Sequence, residues 1–178
     1  MKRIVSGLLG LFVGLPTVVP GASPLSCSNA HREFLSAFVG AWEVSASTRV
    51  GGDHFEATRA RAEFRPALDG CAVVELYETI GSEPVFSIVL VLAARDDGVF
   101  ELARLDSSHG SFTVSTGDLE AGSLTLGWSR DLGDRVLRTR HVYRVESPRE
   151  LSLQQFLSRA DGEPWELTHR ADYQRIDE

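Results

Sequence analysis

The chain has 178 residues, of which 43% are hydrophobic and 24% are charged, and its formal net charge is −7. The length suits one domain, and the composition is that of a globular protein rather than a disordered one. An acidic surface repels phosphate backbones, so no nucleic-acid partner is expected. Lys2 is the only lysine, and the rest of the chain therefore has no side chain for Schiff-base catalysis or for a P-loop.

The N-terminus has the order of parts found in secretory signal peptides. A basic start is followed by an apolar run over residues 4–19 and by a small, polar stretch over residues 20–23. The apolar run is shorter than the ~20 residues of a membrane-spanning helix, and Pro16 interrupts it. We therefore expect residues 1–26 to be a signal peptide and leader, and residues 27–178 to form one domain. That domain would be periplasmic or secreted, with no stable membrane span after cleavage.

The fate of the two cysteines, Cys27 and Cys71, depends on where the leader is cut. Cleavage near Ala22 keeps both, and a disulfide would then form in an oxidising compartment. Residues 28–30 also fit the small-x-small rule, and cleavage there would leave Cys71 as a lone, buried thiol. The sequence leaves both outcomes open.

A short helix is predicted over residues 28–39, with Ser28 or Asn29 as its N-cap and Gly40 as its stop. After Gly40, nine turn signals separate short segments rich in Val, Leu, Phe, Thr and Tyr. This spacing predicts about ten strands joined by hairpins. A sheet of this size hides its edges by closing on itself, so we predict an all-β, antiparallel, up-and-down barrel with a short N-terminal helix.

Alternation along two strands assigns residues to the barrel interior. In each strand one face carries arginines or other charged side chains, which prefer water, so the opposite face should point inward. The residues predicted to point inward include His141, Tyr143, Trp165, His169 and Tyr173.

The segment 87–94 is apolar on both of its faces. This pattern predicts either a central strand or a strand that the N-terminal helix covers.

Three short motifs resemble those of a family of exported bacterial proteins with a lipocalin-like fold and no known function. The first is HREFLSAFVGAWEV over residues 31–44, the second is Asp69-Gly70-Cys71 with Glu75, and the third is Leu105-Asp106-Ser107 before Gly110. The resemblance implies a helix followed by a lipocalin-like, or calycin-like, barrel.

Gly40-x-Trp42 is also similar to the Gly-x-Trp of lipocalins. This resemblance implies that the indole closes one end of the barrel beneath an arginine of the final strand. Arg170 or Arg175 is the candidate, held by a cation–π contact.

The five histidines show no zinc-ligand spacing. Only His141 and His169 lie on predicted inner faces, where a histidine is in most cases a hydrogen-bonded core residue. The alternative is that one of them orients the polar end of a ligand. Nitrobindin-like barrels carry a histidine near the C-terminus, and a resemblance around His169 would imply haem ligation by that residue.

Glu75 and Glu78 flank Tyr77 in one strand and so point to opposite faces, which excludes a paired acid–base set. The inward carboxylate needs a partner, and Arg104 is the best-placed arginine. The favoured interpretation is an internal Glu–Arg ion pair. The alternative is an anchor for a hydroxyl or amine of a ligand.

The function predicted from these patterns is the binding of a small, mostly apolar ligand in the barrel interior. The predicted ligand-binding residues are Tyr77, Arg104, His141, Tyr143, Trp165, His169 and Tyr173. The alternatives are a haem-binding, nitrobindin-like barrel or a filled barrel with a structural or interaction role. No GxSxG or SxxK motif is present, so we predict no catalytic residues, and no metal or cofactor enters the leading prediction.

Overall fold

The structure, a computed structural model, describes residues 26–107, 112–133, 135–159 and 162–176. The predicted leader, apart from Ser26, and His109 lie outside the described residues. One α-helix, one 3-10 turn and ten strands make up the fold. Their bounds are α1 Asn29–Ser36, β1 Gly40–Gly51, β2 His54–Ala67, the 3-10 turn Leu68–Gly70, β3 Ala72–Ile80, β4 Ser87–Ala94, β5 Phe100–Asp106, β6 Phe112–Glu120, β7 Ser123–Asp131, β8 Val136–Ser147, β9 Glu150–Ser158 and β10 Glu166–Arg175.

The ten strands form a closed barrel in which each strand is antiparallel to its neighbours in sequence. β1 closes the barrel by pairing with β10, in a register that places Val44 opposite Tyr173. The predicted all-β, up-and-down barrel with a short helix is therefore confirmed. Within the described ranges, no helix has the length and apolar character needed to cross a membrane.

Helix α1 covers one end of the barrel, which we call the closed end. The Ser28 hydroxyl caps the helix by accepting from the backbone N–H of His31 at 3.2 Å. Leu35, within this helix, is buried. A disulfide between Cys27 and Cys71 links the chain before α1 to the start of β3. Of the two possibilities for the cysteines, the structure therefore contains the disulfide.

Trp42 seals the closed end and is 0% exposed. Its indole N–H donates to the carbonyl of Phe38 at 2.8 Å, and the guanidinium carbon of Arg175 lies 4.3 Å from the ring centroid. Of the two candidate arginines, the one over Trp42 is therefore Arg175, which also donates to the carbonyl of Ala37. Gly40 has φ +132°, a conformation that favours glycine, and a Cβ there would also lie 2.6 Å from Arg175 Nη1.

The segment 87–94 forms β4, a central strand that pairs with β3 on one side and with β5 on the other, as one of the two predictions states. The alternative, a strand covered by the N-terminal helix, is wrong, because α1 covers the end of the barrel and Val89 is 44% exposed. Val89, on the outer face of β4, pairs with Leu76 on β3 and with Leu105 on β5. The outward residues of β4 therefore have apolar neighbours on both sides. We call the two paired rows across β3 to β6 the outer apolar patch. The patch consists of Leu76, Val89, Leu105, Phe112, Val74, Val91, Ala103 and Val114.

Aromatic rings fill the interior near the closed end. Phe38 packs edge-on against Phe64 and Tyr143, with ring centroids 5.5 and 6.0 Å apart. Phe100 and Leu102 are fully buried beside them. The other half of the barrel is hollow, and that half holds the candidate site.

Candidate functional site

The hollow half contains a cavity of about 450 Å³, which we call the inner cavity. Strand alternation sends every second side chain into it. The apolar part of its wall comes from three strands and the segment before β4. These residues are Ala46, Phe86, Ile88, Leu90 and Leu153.

Glu75 and three tyrosines form one polar cluster on the wall, which also carries four threonines, Ser82, two arginines, Gln155 and His169. Glu75 is 3% exposed, and the Tyr173 hydroxyl donates to its Oε1 at 3.3 Å. Burial raises the pKa of Glu75 to about 7, although this hydrogen bond and the charge of Arg104 both lower it. Burial likewise raises the pKa of Tyr77 to about 12 and that of Tyr143 beyond its ordinary range. The four side chains therefore offer hydroxyl groups and a carboxyl group that titrates near neutral pH.

The predicted ion pair between Glu75 and Arg104 does not form between these two described residues. In the barrel wall Leu90 lies between them, paired with Glu75 on one side and with Arg104 on the other. Tyr173 reaches the Glu75 carboxyl group instead. Arg104 has its carboxylate contact with Asp106, where Nε and Oδ2 are 3.8 Å apart.

A second cavity, of about 780 Å³, lies beside the first and shares Arg104 and Gln155 with it. His141 lines this second cavity and is 5% exposed. Burial, and then the charges of Arg104 and His169, lower the pKa of His141 to about 4. The imidazole is therefore neutral at neutral pH, and its Nε2 is buried with no hydrogen-bond partner among the described residues.

His169 lies on the wall of the inner cavity, where its Nδ1 is 2.9 Å from the Thr48 hydroxyl. Burial, and then the charge of Arg104, lower its pKa to about 4. A neutral imidazole with one nitrogen hydrogen-bonded is the form in which histidine ligates iron, so the residue fits the predicted role of haem ligand. Haem binding stays a prediction. Across the described ranges, no three His, Cys, Asp or Glu side chains are grouped to hold a metal ion.

Trp165 does not point inward, and that part of the sequence prediction is wrong. The pairing of β10 with β9 shifts by one residue between Leu167 and His169. This bulge reverses the inner and outer faces before it, so Thr168 lines the inner cavity. Trp165 lies on the outer surface, with the guanidinium carbon of Arg140 4.1 Å from its ring centroid.

The structure brings most of the predicted residues together. Five of them line the inner cavity, namely Tyr77, Arg104, Tyr143, His169 and Tyr173. His141 lies in the adjoining cavity, and Trp165 lies outside both. Glu75 and Gln155 belong to the same wall but were not in the predicted set. The alternation of residues along this strand did not decide whether Glu75 points inward or outward. Nothing in the sequence near Gln155 marked it as a site residue.

These features define a class of protein: a closed, ten-stranded barrel that is filled at one end and hollow at the other. More specifically, the chain belongs to DUF1579, a family of proteins of unknown function whose sequence profile matches residues 28–175.

Two solved structures share the fold. The crystal structure of Rv2717c from M. tuberculosis matches with a TM-score of 0.57 at 16% sequence identity, over 83% of this chain and 98% of that one. The S-type phycobiliprotein lyase CPES from Guillardia theta matches with a TM-score of 0.55 at 15% identity, over 82% of this chain and 92% of that one. No curated protein matches the chain. At such identities the likeness concerns the barrel alone.

Proposed function

We propose that the barrel binds a small, mostly apolar molecule in the inner cavity. The observation that carries this proposal is the cavity of about 450 Å³ inside a closed barrel. Protein interiors are close-packed, and a void of this size exceeds the few small voids of an ordinary core. Its volume lies within the range of ~300–1,000 Å³ that is common for ligand sites. Its wall combines apolar side chains, against which a hydrocarbon group can pack, with polar ones that can orient a ligand.

The same proposal puts the protein outside the cytoplasm. The signal-like leader supports export, and the disulfide between Cys27 and Cys71 supports an oxidising compartment.

An uncharged apolar dye, Nile red, tests the proposal through two matched variants. Ala46 lines the inner cavity, whereas Ala57, on the neighbouring strand, is exposed on the outer face. Ala46→Phe adds a ring to the cavity and should weaken dye binding at least tenfold, while Ala57→Phe should leave it unchanged. Fluorescence titration measures both affinities. Absence of saturable binding, or equal binding by the two variants, would contradict the proposal.

A further inference from the structure

We infer that the ligand carries a carboxylate, and that this group pairs with Arg104 where the inner cavity meets the second cavity. The inference rests on the proposed function and adds the chemical class of the ligand.

Arg104 lies on β5, and its side chain is 25% exposed. Its side chain lines both cavities. Its positive charge lowers the pKa of Glu75 on β3, of His141 on β8 and of His169 on β10. Because its side chain lines both cavities, the guanidinium group is accessible to a molecule in either one.

The guanidinium group is incompletely satisfied by the described residues. Its Nε is buried and has no hydrogen-bond partner among them. The 3.8 Å between this Nε and Asp106 Oδ2 exceeds the length of a hydrogen bond, and Glu75 is bonded to Tyr173 instead. A cation that is partly removed from water is costly unless it is paired and hydrogen-bonded. An incoming carboxylate would supply that pairing.

Two further donors lie at the same junction. His141 Nε2 is buried without a partner among the described residues beside the second cavity. The side chain of Gln155 lines both cavities. Since a neutral imidazole carries one N–H, His141 can donate from Nε2 to one carboxylate oxygen while Arg104 holds the other. This assigns the proton of His141 to Nε2.

The charges of the wall favour an acid over an amine as the polar end of the ligand. An ammonium group at the junction would be repelled by Arg104. Of the two carboxyl groups nearby, Glu75 already accepts from Tyr173, and Asp106, on the wall of the second cavity, lies 3.8 Å from the Arg104 cation itself. Arg49, the other arginine on this wall, is paired with Asp53 and Glu166. Arg104 is therefore the cation that a ligand acid group would meet, while its hydrocarbon part lies against the apolar wall.

A fluorescent fatty acid, cis-parinaric acid, and its methyl ester test the inference on the unaltered protein. The two probes share the hydrocarbon chain and differ in the charge of the head group. At neutral pH we expect the acid to bind at least tenfold more tightly, which is the scale of one hydrogen bond to a charged group. Equal affinities, or tighter binding of the ester, would overturn the inference while leaving the proposed function intact. If neither probe binds and Nile red also fails, the proposed function itself is wrong.

Two arginine variants then locate the effect. Arg104→Gln should abolish the preference for the acid, and Arg144→Gln, which removes the same charge from an exposed position on the outer face, should retain it. Arg104→Lys keeps the positive charge and should retain part of the preference, which covers the case in which Arg104→Gln fails to fold. A preference for the acid that survives both Arg104 variants in full would contradict the assignment to Arg104.

Discussion

Glu75 is a carboxyl group that the barrel encloses almost completely. Burial raises its pKa from an ordinary 4.5 to about 7 in the folded protein. The unfolded chain releases this proton near pH 4.5, whereas the folded protein holds it until near pH 7. The contribution of Glu75 to stability is therefore fully present below pH 4.5 and is lost as the pH rises through 7.

Glu75→Gln removes this loss of stability at high pH, because the amide is never ionised and can still accept a hydrogen bond from Tyr173. We expect the variant to be more stable than the natural protein at pH 8, by up to about 3 kcal/mol for a pKa change of this size. At pH 4.5 the gain should be small. Urea denaturation at the two pH values measures it. The control is Glu78→Gln on the exposed face of the same strand, which should change stability little at either pH. An equal change in the free energy of unfolding of Glu75→Gln at both pH values would contradict this account.

His141 gives the opposite dependence on pH, since burial lowers its pKa from 6.5 to about 4. Its contribution is present above pH 6.5 and is lost as the pH falls through 4. His141→Gln should therefore shift acid unfolding, followed by circular dichroism, to lower pH. His54→Gln, at an exposed position, serves as the control and should leave the midpoint in place. An unchanged midpoint for His141→Gln would show that the imidazole is protonated without unfolding.

Strands β6 and β7 approach each other closely at Gly117. A Cβ at this position would overlap the carbonyl oxygen of Thr125, whereas a Cβ at Gly127 would lie 3.4 Å from the carbonyl oxygen of Thr139. Because backbone atoms cannot move aside as a side chain does, Gly117→Ala should cost about 1–3 kcal/mol and Gly127→Ala clearly less. Thermal unfolding of the two variants measures the difference. Equal melting temperatures would mean that the strands separate locally at no cost.

The elements differ in how far their sequence predicts their place in the site. On β8 the charges of one face leave the other face inward, and the structure buries His141 and Tyr143 as this pattern predicts. On β10 the same rule fails at Trp165 because a bulge adds one residue without changing the polarity pattern. The hydrogen bond from Tyr173 to Glu75 joins residues 98 positions apart. Such a contact depends on barrel closure and strand register, which the polarity of single strands does not encode.

At the scale of the whole molecule, the disulfide anchors the chain before α1 to the barrel. It joins residues 44 positions apart, and a loop of that length predicts a stabilisation of roughly 4 kcal/mol by restriction of the unfolded chain. Reduction should lower the urea midpoint accordingly. The double variant Cys27→Ser, Cys71→Ser should match the reduced protein and be insensitive to reductant. A midpoint that is unaffected by reduction would show that packing of α1 alone holds the closed end.

The barrel divides into a filled half and a hollow half, and this division is the basis of the proposed function. Trp42, Phe38 and Phe100 fill the closed end, while the wall around Glu75 surrounds empty space. The outer apolar patch is a competing place for an apolar molecule, since Val89 and Leu105 are exposed there.

An NMR titration with Nile red separates the two places most directly. Along β4 the side chains of Leu90 and Val89 point in opposite directions, the first into the inner cavity and the second into the outer apolar patch. Binding in the cavity predicts saturable shifts of the methyl signals of Leu90 and Leu153, with those of Val89 and Leu105 unmoved. Shifts confined to Val89 and Leu105, with Leu90 and Leu153 unchanged, would contradict ligand binding inside the barrel.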